Sequence, residues 1–85
     1  MVLLAITPRG LEEAIRISSQ TGQPVWCSAE AVSEQAFSAS VPAEVTRFVY
    51  GLTGDDAALI EDALGTIAEH HPGQSIWVEA VPHGA

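Results

Sequence analysis

The start of the chain combines two hydrophobic patterns, one typical of a strand and one typical of a helix. Residues 2–6 are apolar without interruption, as in a strand that is covered on both faces at the centre of a parallel sheet. From Leu11 to Ser18 the apolar residues recur at helical spacing, and polar side chains take the opposite face. Thr7 and Pro8 lie between the two patterns, and this pair is typical of a helix start. We therefore predict a buried strand at 2–6 and an amphipathic helix that begins at its carboxyl end.

The rest of the chain continues this alternation, with one ambiguous stretch. Further strands are predicted at 24–27, 45–50 and 75–81. A long amphipathic helix is predicted before the last of them, with Thr53 as its cap and Asp56 reaching back in a capping box. In residues 28–40 the apolar positions have only a loose helical spacing. A short helix at 30–38 is our preferred interpretation, and an open loop is the alternative.

The stretch 28–40 decides between two folds. As a crossover helix it gives a small three-layer α/β domain with a four-stranded, mainly parallel sheet. As a loop it gives a ferredoxin-like α+β sandwich of βαββαβ order. The long connection between Cys27 and Thr46 favours the crossover, since hairpin loops are usually about 2–5 residues long, whereas the small size of the chain favours the sandwich. We predict the α/β form as a single domain over residues 1–85, with a flexible tail at 82–85.

Charge and composition exclude several classes of partner. Eleven acidic residues face three arginines, and the formal net charge of −8 repels phosphate backbones and anionic lipid headgroups. No apolar stretch approaches the ~20 residues of a membrane span, and the start of the chain has no signal-peptide pattern. Cys27 has no second cysteine with which to form an internal disulfide, which fits a reducing compartment. We predict a cytoplasmic protein with no nucleic-acid or membrane partner.

Two predicted helix starts supply the candidate ligand-binding residues. In a parallel sheet both starts open on the carboxyl edge, where ligands of open α/β sheets bind. Unpaired N–H groups and the helix dipole favour an anion there, Arg9 adds a cation, and Gly10 allows close approach. The candidate residues for a small anionic ligand are Thr7, Arg9, Gly10 and Thr53.

The remaining polar residues predict no catalytic centre, metal site or cofactor. His70 and His71 are adjacent on a helix, so their side chains diverge by about 100° and do not converge on one metal ion. Cys27, beside a tryptophan on a strand, is interpreted as a buried inert thiol. Glu79 of the last strand is either solvent-facing or a buried acid, and the solvent-facing interpretation is preferred. With no nucleophile–base pair, we favour a protein that is not an enzyme.

Residues 5–14, Ala-Ile-Thr-Pro-Arg-Gly-Leu-Glu-Glu-Ala, resemble the opening of the N-terminal domain of the cobalt-precorrin-5A hydrolase family of cobalamin biosynthesis. In that family a strand ends in a similar Thr-Pro-x-Gly turn. The similarity covers about the first twenty residues, and the chain shows no counterpart of the glycine-rich part of that domain or of the larger C-terminal region. The resemblance implies an α/β fold with the first turn on the ligand edge. It implies no hydrolase activity, and no catalytic residue is carried over.

Size and composition favour a protein that acts by association. A second copy can cover apolar surface that the small core of one chain leaves exposed. Trp26 and Trp77 are both on short strands, and part of the sheet face or edge there could be left to a partner. We predict a homodimer, or a subunit or regulator of a larger protein. The alternative is a small anionic-ligand-binding domain or minor enzyme that uses the turn Thr7–Gly10.

Overall fold

The computed structural model describes residues 1–40, 44–53 and 56–80. The strands are β1 (Val2–Ala5), β2 (Val25–Cys27), β3 (Val45–Arg47) and β4 (Ile76–Val78). The helices are α1 (Pro8–Thr21), α2 (Glu34–Ser40) and α3 (Ala57–His70). The predicted tail at 82–85 lies outside the described residues.

The four strands form one parallel sheet in the order β3-β2-β1-β4. β1 is central, and its Leu3 pairs with Val25 on one side and with Trp77 on the other. The predicted small α/β domain is confirmed. The ferredoxin-like alternative does not form, because β2 and β3 run parallel and are joined by a crossover that contains α2.

Successive residues of β1 point to opposite faces of the sheet, and each face has its own apolar cluster. The cluster on the α3 side consists of Val2, Leu4, Ile6, Trp26, Phe48, Leu52, Ala63 and Ile67. The cluster on the α1 and α2 side consists of Leu3, Ala5, Leu11, Ala14, Val25, Cys27, Ala31 and Val45. The uninterrupted apolar run at the start of the chain is therefore explained by burial on both faces, which gives the three layers.

The ends of the two long helices follow from local side-chain chemistry. The Thr7 hydroxyl accepts a hydrogen bond from the backbone N–H of Gly10, as expected for the first residue before α1. α1 ends at Gly22, whose φ of 75° is the left-handed conformation that glycine adopts readily. α3 is capped by Asp56, whose carboxylate accepts from the backbone N–H of Leu59. The prediction of Thr53 as the cap is wrong, because Asp56 directly precedes the helix and supplies the acceptor itself.

α2 begins at Glu34, four residues later than the predicted start at 30. The preceding residues are held by Arg47 of β3, which donates to the carbonyls of Val32 at 2.8 Å and Ala29 at 3.0 Å. A loop that satisfies its carbonyls in this way does not need helical hydrogen bonds. β3 and β4 are shorter than the predicted strands at 45–50 and 75–81, of which residue 81 lies outside the described residues.

Candidate functional site

The strand order places the carboxyl ends of β1 and β4 at the point where the direction of chain progression reverses. β2 and β3 follow β1 on one side, whereas β4 lies on its other side. In open α/β sheets the crevice at such a point is where ligands bind. Thr7 and Gly10, two of the predicted site residues, lie here after β1. Glu79, which directly follows β4, completes the group.

The Glu79 carboxylate occupies the amino end of α1. One oxygen, Oε1, accepts from the backbone N–H groups of Ile6 at 2.7 Å and Thr7 at 2.8 Å. The other oxygen, Oε2, accepts from the Thr7 hydroxyl at 2.5 Å. A negative charge is stabilised there by the free N–H groups and by the helix dipole. Glu79 is half-buried, so its interpretation as a solvent-facing residue is wrong.

Gly10 allows this carboxylate to approach the helix. A β-carbon at residue 10 would overlap the carboxylate of Glu79. Gly10 is one of the predicted site residues because a bound anion would need close access to the backbone. The structure shows that the approaching anionic group belongs to the chain itself.

The other two predicted site residues lie apart from the Glu79 hydrogen bonds. Arg9 is exposed on the first turn of α1 and lines the adjoining groove. Thr53 follows β3, which is separated from β1 by β2, so the two strand ends are about 10 Å apart at the usual strand spacing. The structure therefore brings Thr7 and Gly10 together, adds Glu79 to them, and leaves Thr53 outside this group.

A groove of about 530 Å³ runs between α1 and β4 on the α1 side of the sheet. We refer to it as the α1–β4 groove. Its largely apolar walls include Leu3, Ala14, Ile17, Trp77 and Val78, and its end at the carboxyl edge of the sheet includes Thr7, Arg9, Gly10, Glu13 and Glu79. The Trp77 side chain is 63% exposed in this groove, an unusually large open apolar surface for so small a domain.

The two outer strands differ in how their edges are protected. β3 carries Arg47, whose charged group is bonded to the neighbouring loop, and the exposed polar residue Thr46. Charged residues on an edge strand hinder the addition of another strand. β4 carries only apolar residues, and the chain has no acidic, lysine or arginine side chain from Pro72 to Val78. In the described part of the chain, β4 pairs with β1 alone. Within these residues the other edge of β4 is open.

The other tryptophan, Trp26, packs inside the domain. Trp26 is only 6% exposed, so the prediction that its strand leaves it to a partner is wrong, whereas Trp77 is exposed. The indole N–H of Trp26 donates to Nε2 of His71 at 3.2 Å, and its ring lies 5.2 Å from that of Phe48. The His70 ring lies 5.3 Å from the same indole. The two histidines are thus partners of Trp26.

Cys27 lacks the environment of a reactive thiol. It is fully buried on β2, and burial raises its pKa to about 11, although the nearby charge of Arg47 lowers the pKa slightly. A thiol with this pKa is protonated at neutral pH and is a poor nucleophile. Its interpretation as a buried thiol is confirmed. Among the described residues, no group of three or more His, Cys, Asp or Glu side chains is arranged to hold a metal ion.

Comparison with known proteins gives no relative from which a function could be inferred. No protein-family model matches the chain, and neither curated proteins nor solved structures give a match. Within residues 1–40, 44–53 and 56–80, none of the helices has the length and apolar character needed to cross a membrane.

Proposed function

We propose that this protein acts by association and that it forms a homodimer through β4 and the α1–β4 groove. The observation that carries the proposal is the exposure of Trp77 on a strand whose outer edge is open. Exposed tryptophan is rare on monomer surfaces and is enriched at the centres of protein interfaces. The partner must therefore cover the Trp77 side chain and the open edge of β4 together.

Burial of this apolar surface is large enough to stabilise an association measurably. Aromatic side chains bury about 150–250 Å² each, and apolar burial contributes about 25 cal/mol per Å². Covering the 63% of Trp77 that is exposed therefore contributes roughly 2–4 kcal/mol per subunit. Val78, which is 39% exposed, lies at the same open edge. In a symmetric dimer each subunit makes this contribution.

Sedimentation velocity over a concentration series tests the proposal. From about 10 μM to about 1 mM the experiment detects association free energies of about −7 to −4 kcal/mol. We expect the wild type to dimerise and Trp77→Ser to remain monomeric. Val49→Ser is the matched control, because Val49 is 90% exposed but follows β3 at the opposite side of the sheet. A wild type that stays monomeric throughout would overturn the homodimer.

The other version of the association proposal is a larger protein partner. It predicts a monomeric wild type whose Trp77 becomes protected from solvent only when that partner is present. The net charge of −8 supports a protein partner over a nucleic acid or an anionic membrane surface in either version. The single buried thiol supports a cytoplasmic location.

A second candidate function, binding of a small anionic ligand at Thr7, Arg9 and Gly10, is favoured by one observation: the amino end of α1 already holds a carboxylate. A free anion would have to displace Glu79. We expect Glu79→Ala to be stabilised by phosphate or acetate in a thermal-shift assay and the wild type to respond less. Arg9→Ala in the Glu79→Ala background is expected to reduce the response. Absence of any response in Glu79→Ala would exclude this candidate.

A further inference from the structure

The backbone of β4 determines how a second copy can be added, and this inference rests on the association proposed above. The N–H of Val2 donates to the carbonyl of Ser75, and the N–H of Glu79 donates to the carbonyl of Leu4. In a parallel pair alternate residues bond to the same neighbour. Residues 75, 77 and 79 therefore direct their backbone groups toward β1. The N–H and carbonyl groups of Ile76 and Val78 point to the open edge.

We infer that two copies join edge to edge, with their β4 strands antiparallel about a two-fold axis that passes between the two Trp77 residues. In this register Ile76 of each copy is opposite Val78 of the other. Both residues have outward-facing backbone groups, so each such pair exchanges two hydrogen bonds, as in the hydrogen-bonded pairs of an antiparallel ladder. The two symmetric pairs satisfy all four outward-facing groups of each strand. A register shifted by one residue would leave some of them unpaired.

The same register brings the two Trp77 side chains together. Trp77 is opposite its own copy in a non-hydrogen-bonded pair, in which the Cα atoms are about 4.5 Å apart and the side chains are closest. Trp77 pairs with Leu3 within its own subunit, and both side chains lie on the α1 side of the sheet. The two α1–β4 grooves therefore become one continuous trough with the tryptophan pair on its floor.

The width of this trough suits two aromatic side chains. The two β1 strands would be three strand spacings apart, about 14 Å, and α1 packs on both β1 and β2. The axes of the two α1 helices would then be about 14–19 Å apart. Packed helices are about 8–10 Å apart. The gap is too wide for direct contact between the two α1 helices, and the Trp77 pair lies in it.

Charge also favours a second copy at this edge. Each copy has a net charge of −8, so two copies repel one another over most of their surfaces. The stretch Pro72–Val78 has no acidic, lysine or arginine side chain, and it contains the whole of β4. Two copies can approach closely here without burying an unpaired carboxylate. The resulting assembly is one continuous sheet of eight strands.

An isotope-filtered nuclear Overhauser experiment on an equal mixture of ¹³C-labelled and unlabelled protein tests this geometry. We expect a cross-peak between the Hα protons of Trp77 in the two copies, because these protons face each other in a non-hydrogen-bonded antiparallel pair. If sedimentation shows a dimer and this cross-peak is absent, the edge-to-edge geometry is overturned and association by another surface stands. If the protein is monomeric, both this geometry and the proposed homodimer fail.

Val78→Pro provides a mutational test in the same dimer. The substitution removes an outward-facing N–H and leaves the bonds to β1 in place, and an edge strand tolerates proline. Val78→Thr is the control, because threonine keeps the N–H and the branched shape. We expect Val78→Pro to raise the dimer Kd at least about tenfold, through loss of two symmetric hydrogen bonds, and Val78→Thr to change it little. Circular dichroism confirms that each variant is folded; equal Kd values for folded Val78→Pro and wild type would overturn the inference.

Discussion

The Glu79 carboxylate rests against the backbone of Gly10, in the space that a β-carbon at residue 10 would take. The two residues are far apart in sequence and meet because β4 lies beside β1. Glycine in the first turn of a helix normally lowers stability relative to alanine. Here it allows a carboxylate to accept three hydrogen bonds from Ile6 and Thr7. The effect of replacing Gly10 therefore depends on Glu79.

The effect of Gly10→Ala on the free energy of unfolding is expected to change sign when Glu79 is also replaced. In the wild type it displaces the carboxylate and should lower the free energy of unfolding by about 1–2 kcal/mol, since charge-assisted hydrogen bonds outweigh the gain in helix propensity. In Glu79→Ala it should raise that free energy by up to about 1 kcal/mol. Gly65→Ala in α3, where a β-carbon meets no atom within 4 Å, is the control and should be stabilising in both backgrounds. Urea unfolding measures the effect of each substitution in each background. Equal effects of Gly10→Ala in both backgrounds would contradict the contact between Gly10 and the Glu79 carboxylate.

His71 is expected to contribute more stability than its neighbour. His71→Phe removes the acceptor of the buried Trp26 indole N–H and should cost about 1–2 kcal/mol. His70→Phe keeps an aromatic ring beside the same indole and should change stability by less than about 0.5 kcal/mol. Thermal unfolding gives the comparison, and the indole N–H resonance should shift more in the first variant, because only that variant loses the hydrogen bond. Equal losses in the two variants would argue against the hydrogen bond.

Cys27 should make the protein less stable as the solution becomes alkaline. Burial raises the thiol pKa from about 9 to about 11, so between these values the unfolded chain loses a proton that the native protein retains. Because the native state then binds more protons, the free energy of unfolding falls as pH rises from about 9 to 11. Urea unfolding at several pH values should show a smaller fall in Cys27→Ala. Iodoacetamide at pH 8 should label the thiol only when the protein unfolds; rapid labelling of native protein would contradict its burial.

Leu4 should be among the most sensitive positions of the core. It is 2% exposed on the central strand, and Leu4→Ala is expected to cost about 2–5 kcal/mol by loss of apolar burial and creation of a cavity. This is a large part of the stability of a domain of this size. Val49→Ala, at a side chain that is 90% exposed, should change the free energy of unfolding by less than about 0.5 kcal/mol. Thermal and urea unfolding compare the two, and similar effects would contradict the burial of Leu4 and the exposure of Val49.

Features with a local cause could be predicted from the sequence. The continuous apolar run of β1 requires cover on both faces, and this indicated the parallel sheet. Thr7 and Gly22 act through neighbours three or four residues away, so the start and end of α1 follow from the residues around them. The later start of α2 depends on Arg47, which is distant along the chain and bonds the carbonyls of the preceding loop.

The contacts that define the candidate site depend on strand order, which the sequence pattern leaves open. Glu79 meets Thr7 across a separation of 72 residues, and Trp26 meets His71 across 45. β4 has only three residues in the ladder, too few for alternation to indicate which way Glu79 points. The turn at Thr7 was predicted as an anion site from its backbone alone. Only the placement of β4 beside β1 reveals the carboxylate that lies there.

The difference between the two outer strands limits the size of any assembly that grows by strand addition. A sheet with two open edges can add copies at both ends and lengthen into a filament. In this protein the outer strand β3 carries the charged residue Arg47 and the exposed polar residue Thr46, whereas β4 carries only apolar residues. If two copies join through β4, the strands left at the two ends of the sheet are both β3, and their charged and polar residues hinder further growth. Arg47→Ala would remove this barrier, and fibrous aggregation of that variant is the expected consequence.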